Sequence, residues 1–130
     1  MYLTLLGIIM KYEYWGHHLM LDCRAGDLEL VRDGENIKQF AKDLVNKIEM
    51  TAFGDPIVEH FATHNPEAAG YSLLQLIETS NIAGHFVDKN GDFYLDIFSC
   101  KEFDIEVAKD VVENWFNPEN IKVSYFTRQA

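Results

Sequence analysis

Residues 56 to 99 constrain the fold of this chain more than any other stretch. They hold four strand-like runs, 56–63, 70–79, 81–87 and 92–99, with no helical pattern between them. Strands joined by such short connections pair antiparallel, because a parallel pairing needs a crossover of about a dozen residues or more. Asn90-Gly91, between the last two runs, is the strongest short hairpin signal, since both residues tolerate a positive φ. Residues 17–23 (HHLMLDC) and 120–127 read as two further strands.

Two stretches carry a different period. Ile37, Phe40, Ala41, Leu44, Val45 and Ile48 recur at helical spacing, which predicts an amphipathic helix over 35–49 opened by Asp33 or Gly34. Ile105, Ala108, Val111, Val112, Trp115 and Phe116 do the same over 104–116, and Asn117-Pro118 ends that pattern. The resulting order is β-α-β-β-β-β-α-β. It predicts the α+β class, an antiparallel sheet with helices packed on one face. The uncovered face, with Leu74, Leu76 and Tyr94, would need a partner, so a homodimer is expected.

The chain has 130 residues, within the range of about 100–200 for one domain, and is read as one domain over 1–130. Residues 1–9 are expected to be an N-terminal extension or an extra edge strand, with Met10 a second possible start. They carry no basic region and no small-residue cleavage site, which argues against a signal peptide. A content of 48% hydrophobic and 13% aromatic residues excludes a disordered chain. The formal charge of −10 argues against nucleic acid and against anionic membranes as partners. A small-molecule substrate or a protein partner remains. Two cysteines, Cys23 and Cys100, make no disulfide framework and point to reduced thiols in a cytoplasmic protein.

No metal site is expected. His60 and His64 lie four apart, but Pro66 argues against the helix that would align them, and carboxylate or Cys ligands at a fitting spacing are missing. Asp88 to Asp92 resembles the opening of a calcium loop, but Phe93 and Ser99 stand where such a loop needs Gly and Glu. The hairpin reading therefore prevails there. More informative are Ser72, Thr79-Ser80-Asn81, His85 and Cys100. They place a hydroxyl, an imidazole and a thiol in or beside consecutive strands, with Ser80 at a junction where backbone strain is plausible.

These residues resemble a known family. Gly16-His17-His18-Leu19-Met20-Leu21-Asp22 is similar to the Gly-x-His-Leu-x-x-Asp opening of the small prokaryotic S-adenosylmethionine decarboxylase proenzymes. Gly70-Tyr71-Ser72 resembles their Gly-Val-Ser element, and Thr79-Ser80-Asn81-Ile82 stands where they have Glu-Ser-His-Ile. Asp96-Ile97-Phe98-Ser99-Cys100 is similar to their Asp-Val-Phe-Thr-Cys, and His85 and Cys100 follow Ser80 at the family spacing. The resemblance covers most of the chain and implies a two-layer sandwich and a sheet-to-sheet dimer with shared sites.

It also implies chemistry. Ser80 Oγ would attack the Thr79 carbonyl, and the chain would break between Thr79 and Ser80 to leave a pyruvoyl cofactor derived from Ser80. His85 would move protons in that step, and Ser72 would hydrogen-bond the strained carbonyl or the intermediate. The cofactor condenses with the substrate amine and accepts the electron pair released with CO₂, and Cys100 would then protonate the α-carbon. Val87 and Lys89 stand where the family has a Trp that stacks adenine and a Glu that holds the ribose. A further family aromatic falls on Pro66. Phe61 or Phe86 would have to supply the stacking face, and Asp88 or Asp92 would have to accept from the ribose. The expected activity is therefore a pyruvoyl-dependent S-adenosylmethionine decarboxylase serving polyamine synthesis. The alternatives are the same self-processing fold acting on arginine or ornithine, and an unprocessed homologue that binds or regulates.

Overall fold

The computed structural model describes residues 2–5, 8–11 and 14–130. Two short strands, β1 (Tyr2–Leu5) and β2 (Ile8–Lys11), pair antiparallel with each other in a sheet of their own. Of the two expectations for residues 1–9, an extension or an extra edge strand, the strand order does not give the edge strand: among the described residues neither β1 nor β2 joins the main sheet, whose edges are other strands. Residues 1, 6 and 7 of that stretch lie outside the described residues.

The main sheet contains β3 (Gly16–Arg24), β4 (Ala52–Phe61), β5 (Gly70–Ile77), β6 (Ser80–Val87), β7 (Phe93–Ser99) and β8 (Asn120–Arg128). Its spatial order is β4-β5-β6-β7-β3-β8, and every neighbouring pair is antiparallel. Helices α1 (Leu28–Val31) and α2 (Gly34–Lys47) follow β3, and α3 (Ile105–Phe116) follows β7. The α+β class and the order β-α-β-β-β-β-α-β hold. Among the described residues, no helix is long and apolar enough to cross a membrane.

Local chemistry explains the boundaries. Asp33 caps α2 by accepting from the backbone N–H of Glu35 and Asn36, and Asp104 caps α3 through Glu106 and Val107. Asn117 adopts a left-handed conformation, φ 45°, and stops α3 before Pro118. The four residues of α1 are too few for a period to register in the sequence. Strand β4 starts at Ala52 rather than at residue 56, because a register shift between Phe53 and Ile57, with Gly54 at φ 73°, carries the strand past Pro56. The Asn90-Gly91 hairpin forms, with only Gly91 at positive φ, 79°.

Alternation along the strands divides the sheet into two unlike faces. Leu19, Leu21, Leu73, Ile82, Phe86, Leu95 and Ile97 meet Ile37, Phe40 and Leu44 of α2 and Ala108, Val112 and Phe116 of α3 in one buried core. Their sequence neighbours point the other way. On that open face Phe53, Ile57, Leu74, Leu76, Tyr94 and Phe126 are 40–68% exposed.

Candidate active site

Ile77 faces Ser80 across β5 and β6, so Glu78 and Thr79 form the turn between them. Ser80 leaves that turn with φ 157°, on the positive side that side-chain-bearing residues seldom occupy. Its preceding carbonyl is held: Thr79 O accepts the backbone N–H of Cys100 at 3.0 Å. The Thr79 hydroxyl is held too. Ser99 Oγ donates to Thr79 Oγ1 at 2.7 Å, and Thr79 Oγ1 reaches Met50 Sδ at 3.4 Å. Ser99 is wholly buried, faces Ser80 across β6 and β7, and accepts the Lys101 N–H at 3.0 Å. Asn81 Nδ2 donates to Ser80 Oγ at 3.1 Å, which leaves the Ser80 proton for another acceptor. The peptide bond before Ser80 thus has a polarised carbonyl, a neighbouring hydroxyl and an unusual backbone angle.

A second cluster lies further along the same hairpin. Ser72 and His85 face each other across β5 and β6, with Ser72 Oγ 2.9 Å from His85 Nδ1. His85 Nε2 lies 2.7 Å from the Ala68 carbonyl. A carbonyl only accepts, so Nε2 carries the proton and Nδ1 accepts from the Ser72 hydroxyl. Both nitrogens are engaged and the ring is fixed in one tautomer. Gly70 permits the approach of this strand: a Cβ there would lie 1.7 Å from the Phe86 carbonyl oxygen.

The four expected residues therefore gather as two pairs rather than one site. His85 lies five positions after Ser80 on β6, which at about 3.3 Å per residue separates them by roughly 16 Å. That separation was readable from the sequence, because both residues lie on one strand.

The residues expected to hold a nucleoside divide. Phe86 is a correction: it is wholly buried, stacked on Phe93 at 5.1 Å and packed against Phe116 and Phe40, so its ring has no face for a base. Its place on the core side of β6 follows from alternation with Ile82. Phe61, on edge strand β4 opposite Gly70, is 55% exposed. Asp88 follows the last residue of β6, at the end away from Ser80. Its Oδ2 lies 2.6 Å from His60 Nε2, and its carbonyl accepts from Arg32 Nε at 2.8 Å. His60, Tyr71, Pro66, Asp88 and Lys89 line a cavity of about 640 Å³, where Lys89 pairs with Glu67.

The two thiols differ in kind. Cys23 is buried, and burial, aided by the Asp22 charge, pushes its thiol up to about 12. Cys100 is exposed and lines a cavity of about 380 Å³ with His17, Lys101, Glu102 and Tyr125. The Tyr125 hydroxyl lies 2.5 Å from His17 Nδ1, and burial, followed by the Glu102 charge, raises the phenol above its ordinary pKa. Ser99 was missed as a site residue, although it adjoins Cys100 in the sequence. His17 and Tyr125 carried no sequence signal, because only the pairing of β3 with β8 brings them together.

The profile of the S-adenosylmethionine decarboxylase family matches residues 17–129 of this chain. Comparison with curated proteins gives no match. Among solved structures, the adenosylmethionine decarboxylase from Aquifex aeolicus VF5 superposes with a TM-score of 0.75 at 20% identity. The match covers 92% of this chain and 94% of that one, and it shows a shared fold. With the profile running from the start of β3 to the end of β8, across both clusters on the β5–β6 hairpin, the chain belongs to the S-adenosylmethionine decarboxylase family.

Proposed function

We propose that this chain is a self-processing, pyruvoyl-dependent S-adenosylmethionine decarboxylase, a carboxy-lyase of the cytoplasm that serves spermidine synthesis. The observation that carries the reading is the Cys100 N–H on the Thr79 carbonyl, beside the Ser80 hydroxyl. Ser80 Oγ forms a bond to the Thr79 carbonyl carbon, and the C–N bond breaks to give an ester and a free Ser80 amine. The negative charge that gathers on the Thr79 oxygen is met by the Cys100 N–H, which already points at it. Loss of the Ser80 α-proton then expels the Thr79 carboxylate from the Ser80 β-carbon. Hydrolysis of the resulting dehydroalanine releases ammonia and leaves a ketone at the new N-terminus.

Ser80, with its hydroxyl proton left for another acceptor and its carbonyl neighbour polarised, fits the origin of a pyruvoyl group. That group supplies the electron sink for loss of CO₂ from the substrate. Cys100, the exposed thiol at the same end of the sheet, returns a proton to the α-carbon.

The reading includes a homodimer. Ser72 and His85 are held in a proton-transfer arrangement with no scissile bond near them in their own chain. The open face that bears them is apolar, and covering such side chains is worth about 1.5–3 kcal/mol each. A sheet-to-sheet dimer brings the Ser80–Cys100 end of one protomer to the Ser72–His85 pair of its partner. Phe61 and Asp88, at the His85 end of the hairpin, then lie on the partner's side of the shared site as candidate substrate contacts.

Denaturing mass spectrometry of the purified protein tests the reading. The expected products are Met1–Thr79 and a fragment of residues 80–130 lighter by one ammonia than its serine-started form. Ser80→Ala should stay intact. Only uncut chain after prolonged incubation would overturn self-processing and favour the unprocessed binding protein.

A further inference from the structure

We infer that Trp15, with Phe98 and Arg128, forms the platform that takes the planar purine base of the substrate. This rests on the decarboxylase reading and deepens it by assigning the base a place. Trp15 is 60% exposed, an uncommon position for so large an apolar ring. It is not a loose end, since its backbone N–H donates to Gln129 Oε1 at 3.0 Å and ties the start of β3 to the end of β8. Its ring centroid lies 6.0 Å from that of Phe98. Phe98 meets His18 edge-on at 5.7 Å, and the Arg128 guanidinium sits 5.3 Å above the Phe98 ring.

Gly16 makes room for this arrangement. A Cβ there would lie 2.9 Å from Phe98 Cε1 and 3.2 Å from Arg128 Cβ. The bare backbone lets ring and cation settle over it. Together Trp15, Phe98, Arg128 and Gln129 line a cavity of about 400 Å³, within the size range of small-molecule sites.

Register places the platform beside the reacting residue. Phe98 faces Asn81 across β6 and β7, and Asn81 adjoins Ser80 and donates to its hydroxyl. One strand spacing, about 4.8 Å, therefore separates the backbone under the platform from the strand that carries the scissile bond. The chemistry suits a purine: a broad indole face for stacking and a guanidinium plane that stacks or donates to ring nitrogens. Phe61 lies at the other end of the β5–β6 hairpin, opposite Gly70.

The test uses 5′-deoxy-5′-methylthioadenosine, a nucleoside thioether without the amino-acid part, on the protein as purified. The chain has two tryptophans, and Trp115 is held through its Nε1–H by Asp43 at 2.7 Å. Saturable quenching of tryptophan emission is expected in the wild type, with the responding component lost in Trp15→Phe. By equilibrium dialysis, Trp15→Ala should weaken binding about tenfold or more, and Trp15→Phe should restore most of it. Phe98→Leu provides the second variant should Trp15→Ala fail to fold, with an expected loss in the same direction.

An unchanged Kd in the folded variants would overturn the platform. So would a Trp15→Ala protein that loses its dimer in sedimentation while keeping nucleoside affinity, because the ring would then belong to the protein interface. The assay does not depend on cleavage. Trp15-dependent binding by a chain that never cuts itself would support the platform and sink self-processing. Cleavage and turnover with a Kd indifferent to Trp15 would sink the platform alone.

Discussion

The backbone N–H of Cys100 donates to the Thr79 carbonyl at 3.0 Å across the end of β6 and β7. Residues twenty-one positions apart in sequence thus share one hydrogen bond at the bond proposed to break. In the proposed reaction the main chain of Cys100 would assist cleavage, and its exposed thiol would serve the later proton transfer. One residue can serve both steps because they use different atoms.

Ser99 holds this arrangement from below, so its hydroxyl should set the rate of cleavage. Ser99→Ala removes the donor to Thr79 Oγ1 and the acceptor for the Lys101 N–H. It should slow the appearance of fragments and cost about 1 kcal/mol of stability. Ser99→Thr should preserve both. A gel time course with urea unfolding reads the two effects separately.

If the active site is shared between protomers, two inactive chains should rescue each other. Ser80→Ala and His85→Ala are each expected to abolish activity. Co-expressed, their mixed dimer joins an intact Ser80 to an intact His85 at one of its two sites. Cleavage should then appear only in the His85→Ala chain. Its absence in mixed dimers isolated by two affinity tags would exclude the shared site.

Leu76, half-exposed on the open face opposite Asn81, tests the dimer directly. Leu76→Asp adds a charge that an apolar interface cannot solvate. The variant should sediment as a folded monomer with wild-type circular dichroism, and it should remain uncut. A dimer that persists in Leu76→Asp would move the interface elsewhere.

Phe86 belongs to the core, so its loss should appear as instability. Phe86→Ala should cost roughly 3–5 kcal/mol in urea unfolding, in line with large-to-small changes in packed cores. Phe61→Ala, on an exposed ring, should change stability little.

The thiols should separate by reactivity. At mildly alkaline pH iodoacetamide should modify Cys100 in the native protein and reach Cys23 only on unfolding. The folded pKa of Cys23 is raised from 9.0 to about 12, so the native state holds that proton more tightly than the unfolded chain. This contribution is fully present below pH 9 and is lost as pH rises through 9 towards 12. The urea midpoint should fall across that window, and less steeply in Cys23→Ala.

Local pattern alone determined the two longer helices and the six strands of the main sheet, though not α1 or the β1–β2 pair. The spacing of Ile37, Phe40, Leu44 and of Ala108, Val112, Phe116 marks two amphipathic helices, and Asp33 and Asp104 mark their starts, because helical period and capping act within a few residues. The positions of Ser72, Ser80, His85 and Cys100 were equally legible, as was the run of antiparallel strands. Only the tertiary structure decided which of these meet. Insertion of β3 between β7 and β8 brings Trp15 to Phe98 and His17 to Tyr125. The β6–β7 register brings Thr79 to Cys100. Phe86 and Phe98 are both strand aromatics, yet one is core and the other lines an open cavity. The face each ring takes depends on which side the helices cover, and long-range packing sets that.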